Sequence, residues 1–293
     1  MSLAVIITAS VLVLLLALVL WRRADQLRDR QVWRVLRRQA GSPHGIFDPS
    51  MVAELPDPAR RYFLLTIAPG TPLLTATEIW MDGELGLGNQ DDPKYRPMQA
   101  HQILAPPHGL VWQLKAGLIS GSDGIAAGNS WTRFWLLNLI PLVRVSGPDH
   151  LRSAIGRVVA EGAFWTPASL LPGNGVRWEP VSEKTARAIV TRGKHTQYVD
   201  ITILPDGRPL RVVIKRWSNA NEDRVYRLQS FGGELSDFRR LGGYRLPFQV
   251  EGGNLIDTPD YFPFFKARVT RIRFPQLLSY PSKNHPPADK GTG

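Results

Sequence analysis

The chain has 293 residues, of which 43% are hydrophobic and 21% charged, values that are ordinary for a globular protein. It contains no cysteine, which excludes structural disulfides, thiolate zinc sites and cysteine nucleophiles. The net charge is +11, and residues 22–38 alone hold seven arginines against two aspartates. The basic excess is therefore concentrated in the flank of the N-terminal apolar segment, a pattern typical of a membrane flank, and no nucleic-acid partner is predicted.

The first apolar segment predicts a membrane anchor. Residues 3–21 read LAVIITASVLVLLLALVLW, without charge or proline. As a helix they would extend roughly 28 Å, enough to cross a bilayer core. A cleaved signal peptide, the alternative, begins with a positive charge and ends in a small-residue cleavage site, whereas here Trp21-Arg22-Arg23 follows directly. We therefore predict that residues 1–21 form an uncleaved single-pass anchor in the lipid bilayer.

The arginines after this segment predict orientation and local contacts. Arginine-rich flanks are retained in the cytoplasm, so we expect a cell-membrane protein with a cytoplasmic domain, the alternative being an extracytoplasmic one. Residues 22–49 are predicted to form a basic juxtamembrane helix and linker. Its apolar residues either lie against lipid headgroups or belong to a solvated helix. These residues are Leu27, Val32, Trp33 and Leu36.

The soluble part, residues 50–281, is predicted to begin with a helix and then change to strands. The helix starts after Asp57, because an aspartate cap followed by proline is a typical start signal. Alternating apolar residues then predict strands at 75–81, 95–105 and 109–116.

The next segments are harder to assign. Residues 120–124, SGSDG, are interpreted as a loop rather than a nucleophile elbow. Residues 130–143 are so uniformly apolar that periodicity does not separate a strand from a buried helix. A second helix is predicted from Pro148-Asp149 to Gly162, because its apolar residues form one stripe.

The second half predicts a continuous antiparallel meander. Two alternating runs, 198–203 and 210–217, flank Leu204-Pro205-Asp206-Gly207, a strong hairpin signal. The fold class is therefore mainly β (α+β): an anchor helix, then a large curved antiparallel sheet or half-barrel with two or three helices. Residues 282–293 are too polar to pack and are predicted to be a disordered tail.

Arg157 and Glu161 are the charged candidates for a site. They are four residues apart on the second predicted helix, a spacing that permits an ion pair. Buried beneath a sheet, they would instead orient a polar ligand group or supply an acid. No histidine has a second histidine or carboxylate at a familiar metal spacing, so neither a metal nor a cofactor is predicted.

Tryptophans are the aromatic candidates. Their rings bury large areas, which fits either the core of a β-domain or an aromatic groove for an apolar ligand. The predicted ligand-binding residues are Trp112, Trp131, Trp135, Arg157, Glu161 and Trp217.

Three motifs carry a resemblance: LPxPxxxY at 55–62, SAxGRxxxE at 153–161 and GGYRxP at 242–247. In them the sequence resembles a family of bacterial proteins of unknown function, many of which have an N-terminal anchor. The resemblance covers most of the soluble domain and implies no catalytic residue. The order and spacing of elements are also similar to periplasmic lipoprotein carriers, whose half-barrel wraps a helix and binds acyl chains. That likeness implies an extracytoplasmic domain.

Three functions remain open. The first is a membrane-anchored, non-catalytic binding domain for a lipid or another apolar molecule. The second is an enzyme acting on a membrane-associated substrate through Glu161, Arg157 and His101. A cleft where Glu161 meets a histidine with a shifted pKa would favour it. The third is a scaffold subunit of a membrane complex, which would present a large exposed apolar patch.

Overall fold

A computed structural model describes residues 2–278, and the predicted tail, 282–293, lies outside them. Within the described residues, an N-terminal helix is followed by one 13-stranded antiparallel sheet, which confirms the predicted fold class. The helices are α1 Leu3–Gln39, α2 Asp57–Thr66, α3 Pro148–Trp165 and α4 Pro275–Leu278, with 3₁₀ turns at Pro49–Val52 and Pro167–Leu170. The strands are β1 Thr77–Gly86, β2 Tyr95–Ala105, β3 Gly109–Ala116, β4 Ile119–Ala126, β5 Asn129–Leu136, β6 Ile140–Val145, β7 Val176–Ser182, β8 Thr185–Arg192, β9 His195–Ile203, β10 Pro209–Ser218, β11 Arg227–Leu241, β12 Tyr244–Asn254 and β13 Phe262–Arg273.

The sheet consists of two meanders that meet at its centre. The strand order is β6-β5-β4-β3-β2-β1-β13-β12-β11-β10-β9-β8-β7. Consecutive strands pair within each half, and the antiparallel pair β1–β13 joins the halves. The two edge strands are therefore β6 and β7, and α3 lies between them in the chain. Since α3 contacts strands of both halves, we call the face on which it packs the inner face and the opposite one the outer face.

The segment 130–143 is a strand, a turn and a second strand. Alternate residues of β5 point to opposite faces, as in any strand. Thr132 and Phe134 belong to the inner face, where they share a cavity with residues of α3. Trp131, Arg133 and Trp135 belong to the outer face, where Arg133 reaches a carboxylate of α1 and Trp135 packs on the ring of Trp21. Both faces of β5 are covered, which explains why apolar side chains occur on both faces of this strand; the apolar residues of 137–143 are instead largely exposed.

The segment 120–124 is part of strand β4, so the predicted loop was wrong. The glycines of this segment do not form a turn; they allow residues of the neighbouring strand β5 to approach closely. A Cβ atom at Gly121 would lie 2.0 Å from the carbonyl oxygen of Arg133, and one at Gly124 would lie 2.4 Å from the ring of Trp131. Such distances are far below van der Waals contact, so only glycine fits beside these residues of β5.

Helix α1 runs without interruption from the apolar segment into the basic one. The most apolar window of α1 is not buried inside the protein, whereas the second half of the helix packs on the outer face. There Trp33 and Leu36 share a small core with Ile103 and Val111. The sequence placed these two side chains against headgroups or in solvent, and the structure instead places them against the sheet. Burying a large apolar side chain contributes about 1.5–3 kcal/mol, so this contact holds α1 to the domain.

Ion pairs of buried carboxylates on α1 also orient the helix on the sheet. Asp25 of α1 is fully buried and accepts from Arg144 of β6 at 2.6 Å. Arg133 of β5 lies 3.5 Å from the same carboxylate. Because an unpaired buried charge is costly, these pairs fix the rotation of α1 on the sheet.

Candidate functional site

A cavity of about 360 Å³ lies between α3 and the inner face of the sheet. Its volume falls in the range of small-molecule sites, which are mostly apolar with a few placed polar groups. Its walls come from both halves of the sheet and from α3. The aromatic side chains in its lining are Trp112, Phe134, Phe164, Trp165, Phe231, Phe264 and Phe265.

One wall of the cavity carries a buried charged cluster. Arg157 of α3 donates from Nε to Oε1 of Glu161 at 2.6 Å and from Nη1 to Oδ2 of Asp123 on β4. Its Nη2 donates to Oε1 of Gln102 on β2 at 3.2 Å. Burial opposes the charge of the Arg157 guanidinium, but Glu161 and Asp123 outweigh it and raise its pKa. The cluster thus ties α3 to two strands.

The carboxylates of this cluster have partners on every oxygen. Gln102 donates from Nε2 to Oε2 of Glu161 at 2.5 Å, and Thr132 donates from Oγ1 to Oδ1 of Asp123 at 2.6 Å. Arg157 holds the other oxygen of each carboxylate. Since a catalytic acid or base must reach its substrate directly or through one water, this arrangement suits a fixed polar wall better than proton transfer.

A histidine approaches the same cluster through Asp123. His150, in the first turn of α3, has Nε2 2.9 Å from Oγ1 of Thr132 and Nδ1 2.8 Å from Oγ of Ser130. Its Nε2 lies 3.7 Å from the Asp123 carboxylate. Burial lowers the pKa of His150. Both ring nitrogens are therefore occupied by hydroxyl groups, and among the described residues the ring forms no hydrogen bond or ion pair with Glu161.

Arg216 of β10 is the other cation on the cavity wall. Its Nε donates to Oγ of Ser153 at 2.9 Å, and its guanidinium carbon lies 4.6 Å from the centre of the Phe231 ring. Within residues 2–278 it forms no salt bridge, unlike Arg157. Burial and the neighbouring Arg157 lower its pKa to about 10, so it remains charged at neutral pH. The cavity thus has a charged donor that no carboxylate holds directly.

Comparison with known proteins identifies the family of this domain. Residues 45–267 match the model of a family of unknown function, DUF6544. The chain belongs to the DUF6544 family. The matched segment begins after α1, ends within β13 and contains the cavity and its charged cluster. This confirms the resemblance carried by the three sequence motifs.

Other comparisons with the DUF6544 chain are weaker. No match is found among curated proteins. Among solved structures, the chain is similar to a putative outer membrane lipoprotein-sorting protein domain from Vibrio parahaemolyticus, with a TM-score of 0.36 and 12% sequence identity. That similarity covers 68% of the DUF6544 chain and 85% of the Vibrio chain.

The predicted site residues of the DUF6544 domain separate into two groups. Arg157, Glu161 and Trp112 line the cavity. Trp131 and Trp135 lie on the outer face beneath α1, because odd-numbered residues of β5 point away from the cavity.

Trp217 lies outside the main cavity. Its ring stacks on Tyr226, its Nε1 donates to Oδ1 of Asp149 at 2.7 Å, and the Arg152 guanidinium lies 4.0 Å from its centre. Trp165, which the sequence did not select, lines the cavity instead.

The enzyme hypothesis requires His101 to contact Glu161, and it does not. Its ring lies on the outer face, 4.1 Å from the ring of Trp80 and 4.3 Å from that of Trp33. The next residue, Gln102, points to the inner face and bonds Glu161. Burial, with the nearby arginines, lowers the pKa of His101 to about 4 despite the opposing effect of a nearby glutamate. The proposed catalytic set is divided between the two faces of the sheet.

Sequence reasoning missed Asp123 and Arg216. Asp123 lay in the glycine-containing segment that was interpreted as a loop. A usable signal existed for Arg216, because β10 alternates and Val212, Ile214 and Arg216 share one face. A charged residue in register with two buried aliphatic ones indicates an inward-facing cation.

Proposed function

We propose that this DUF6544 protein is a membrane-anchored binding domain for a lipid or a similar apolar molecule. The observation that carries the proposal is the cavity of about 360 Å³ with largely apolar, aromatic walls between α3 and the sheet. Each buried methylene contributes about 0.8 kcal/mol. About ten of them would supply the roughly 8 kcal/mol of micromolar affinity, before the costs of ordering the chain.

The polar wall supports a ligand with a hydrogen-bond-accepting group. Arg216 brings donors without a carboxylate partner to the cavity. A guanidinium forms charge-assisted hydrogen bonds, so an accepting group on the ligand would gain a strong bond at this wall. A carboxylate, a phosphate or an ester carbonyl has this chemistry.

The packing of α1 supports an anchor that is kept. Helix α1 is long and apolar enough to span a membrane or to act as a signal sequence. Trp21 packs on Trp135, and Arg22 donates to Oδ1 of Asn138 at 3.0 Å, so the helix enters the domain at the end of its apolar segment. Removal of the apolar segment by signal-peptide cleavage would cut α1 where it packs on the domain. The arginines that follow favour a cytoplasmic domain.

Photo-crosslinking of the full-length protein in phospholipid nanodiscs tests the binding function. A diazirine-bearing fatty acid and a diazirine-bearing phospholipid serve as probes, and labelled peptides are identified by mass spectrometry. Binding in the cavity predicts labels on α3 and β11, besides those on residues 3–21. Labels restricted to residues 3–21 would contradict the proposal.

Variants that fill the cavity sharpen the test. Ala160→Phe on α3 and Val250→Phe on β12 introduce rings at positions that line the cavity. Ala53→Phe makes the same change at an exposed position and is the control. Loss of the α3 and β11 labels in both cavity variants, with the control unchanged and all three folded by thermal denaturation, is the expected result.

A further inference from the structure

The apolar segment of α1 meets the domain at one end of the sheet. There, the Trp21 ring packs edge-on against Trp135, with ring centres 5.5 Å apart. Arg22 hydrogen-bonds Asn138 in the turn between β5 and β6. The turn between β3 and β4 lies at the same end, because Ile119 pairs with Leu136 across β4 and β5. We call the turns 117–118 and 137–139, together with edge strand β6, the anchor rim.

The anchor rim exposes aliphatic side chains. They are between 39% and 65% exposed, and four of them lie on edge strand β6. β6 carries Pro141 and Arg144, which oppose pairing with another strand, but an exposed aliphatic surface of this kind is normally covered. These residues are Leu118, Leu137, Ile140, Leu142, Val143 and Val145.

The position of the rim identifies its cover as a lipid surface. In a spanning helix, Trp21 lies at the boundary between hydrocarbon and headgroups, where indole rings are favoured. Side chains that touch Trp21 or flank the partner of Arg22 lie at nearly the same depth, because α1 is one continuous helix bonded to the sheet. The Arg144 guanidinium lies 4.5 Å from the centre of the Trp21 ring, which places a cation among these apolar groups. Aliphatic residues mixed with arginine are typical of interfacial segments.

We infer that the anchor rim is inserted in the bilayer interface and is a second membrane contact beside the helix. This inference rests on the proposed anchoring of residues 3–21 and does not depend on a ligand in the cavity. Its occupant is the phospholipid surface itself.

The inferred contact also orients the cavity. Tracing the antiparallel pairs from β3 through β2 and β1 to β13 puts Tyr95, Gly86 and Phe262 at the same end of the sheet as the anchor rim. Leu85, Gly86 and Phe264, which line the cavity, therefore lie near its bilayer-facing end. An acyl chain would reach the cavity from the membrane along a short path.

The absence of cysteine makes the test direct. Single cysteines at Leu118, Leu137 and Leu142 carry an environment-sensitive fluorophore in the full-length protein, reconstituted in phosphatidylcholine–phosphatidylglycerol vesicles. Quenching by nitroxide-bearing phospholipid is compared with quenching by aqueous iodide. Val181→Cys is the matched control, because Val181 is 47% exposed and Leu142 is 48% exposed, and Val181 lies on the opposite edge strand. Leu12→Cys reports on the anchor.

Each outcome decides the inference. Nitroxide lipid should quench the three rim positions and Leu12→Cys several-fold more than Val181→Cys, and iodide should show the reverse order. Rim positions that behave like Val181→Cys, with Leu12→Cys in lipid, overturn the rim contact and leave the anchor intact. A Leu12→Cys label that lipid does not quench overturns the anchoring as well. Rim labels shielded from both quenchers overturn the inference by indicating a protein partner.

Discussion

Trp33 donates its indole N–H to Oε1 of Glu78 at 3.1 Å, and both side chains are buried. Arg37 donates to the same carboxylate oxygen from the next turn of α1. Glu78 lies on β1, at the centre of the sheet. The second half of α1 is thus part of the folded domain, although it precedes the segment that matches the DUF6544 family.

Two truncations should show that the folded domain includes the second half of α1. Removing residues 1–20 keeps Trp33 and Leu36 on the sheet, so the product should fold. Removing residues 1–38 strips both side chains and leaves Glu78 without its α1 partners. Loss of a buried tryptophan alone costs about 3–5 kcal/mol, so the shorter product should unfold at much lower urea. Trp33→Ala in the longer product should shift the midpoint in the same direction. Equal midpoints for the two truncations would contradict this packing.

The cavity cluster should depend on its central arginine more than on either carboxylate. Arg157→Leu leaves Asp123 and Glu161 buried without their cation, which should cost about 3–5 kcal/mol. Glu161→Gln keeps the ion pair between Arg157 and Asp123 and should lower the free energy of unfolding by about 1–2 kcal/mol. Arg227→Leu is the control, because Arg227 forms an exposed pair with Asp223 at the same spacing, and such pairs contribute less than about 1 kcal/mol. Urea denaturation gives all three values, and similar losses for Arg157→Leu and the control would argue against a buried network.

Acidification should weaken the domain through His101. Its pKa is about 4 in the folded protein, below the value of about 6.5 for an unperturbed histidine. Between these values the unfolded chain binds a proton that the folded chain does not, so stability falls as the pH decreases from about 6.5 to about 4. His101→Phe keeps an aromatic ring beside Trp80 and should flatten the decrease. Denaturation midpoints measured across this pH range test it, and an unchanged slope in the variant would assign the effect to other groups.

The arginine flank predicts the side of the membrane. A reporter that is active only outside the cytoplasm, fused after Gly293, should be silent because arginine-rich flanks remain in the cytoplasm. The same reporter fused before residue 2 serves as the positive control. Strong activity of the C-terminal fusion would place the domain outside.

Periodicity predicted the meander and the helix containing Arg157 because both depend on neighbours in sequence. The hairpin at 204–207 and helix α3 appeared where alternation and the apolar stripe placed them. The partners of Arg157 could not be predicted in this way, because Asp123 and Gln102 lie on strands that are 34 and 55 residues away in the sequence. Likewise, alternation divides β5 into two faces but does not show that α1 covers one of them. This is why Trp131 and Trp135 were expected beside the ligand and lie under the helix.

Arg216 should decide which polar group the ligand carries. Full-length protein in nanodiscs is crosslinked with the diazirine fatty acid, and palmitate or palmityl alcohol is added as competitor. A charge-assisted hydrogen bond contributes about 1.5–3 kcal/mol, so palmitate should compete roughly ten- to a hundredfold better than the alcohol of equal chain length. Arg216→Gln should abolish this preference while the alcohol still competes. Lys215→Gln, which removes the neighbouring exposed charge, should leave the preference intact. If Arg216→Gln weakens both competitors equally, Arg216 supports the wall of the cavity and does not contact the ligand's polar group.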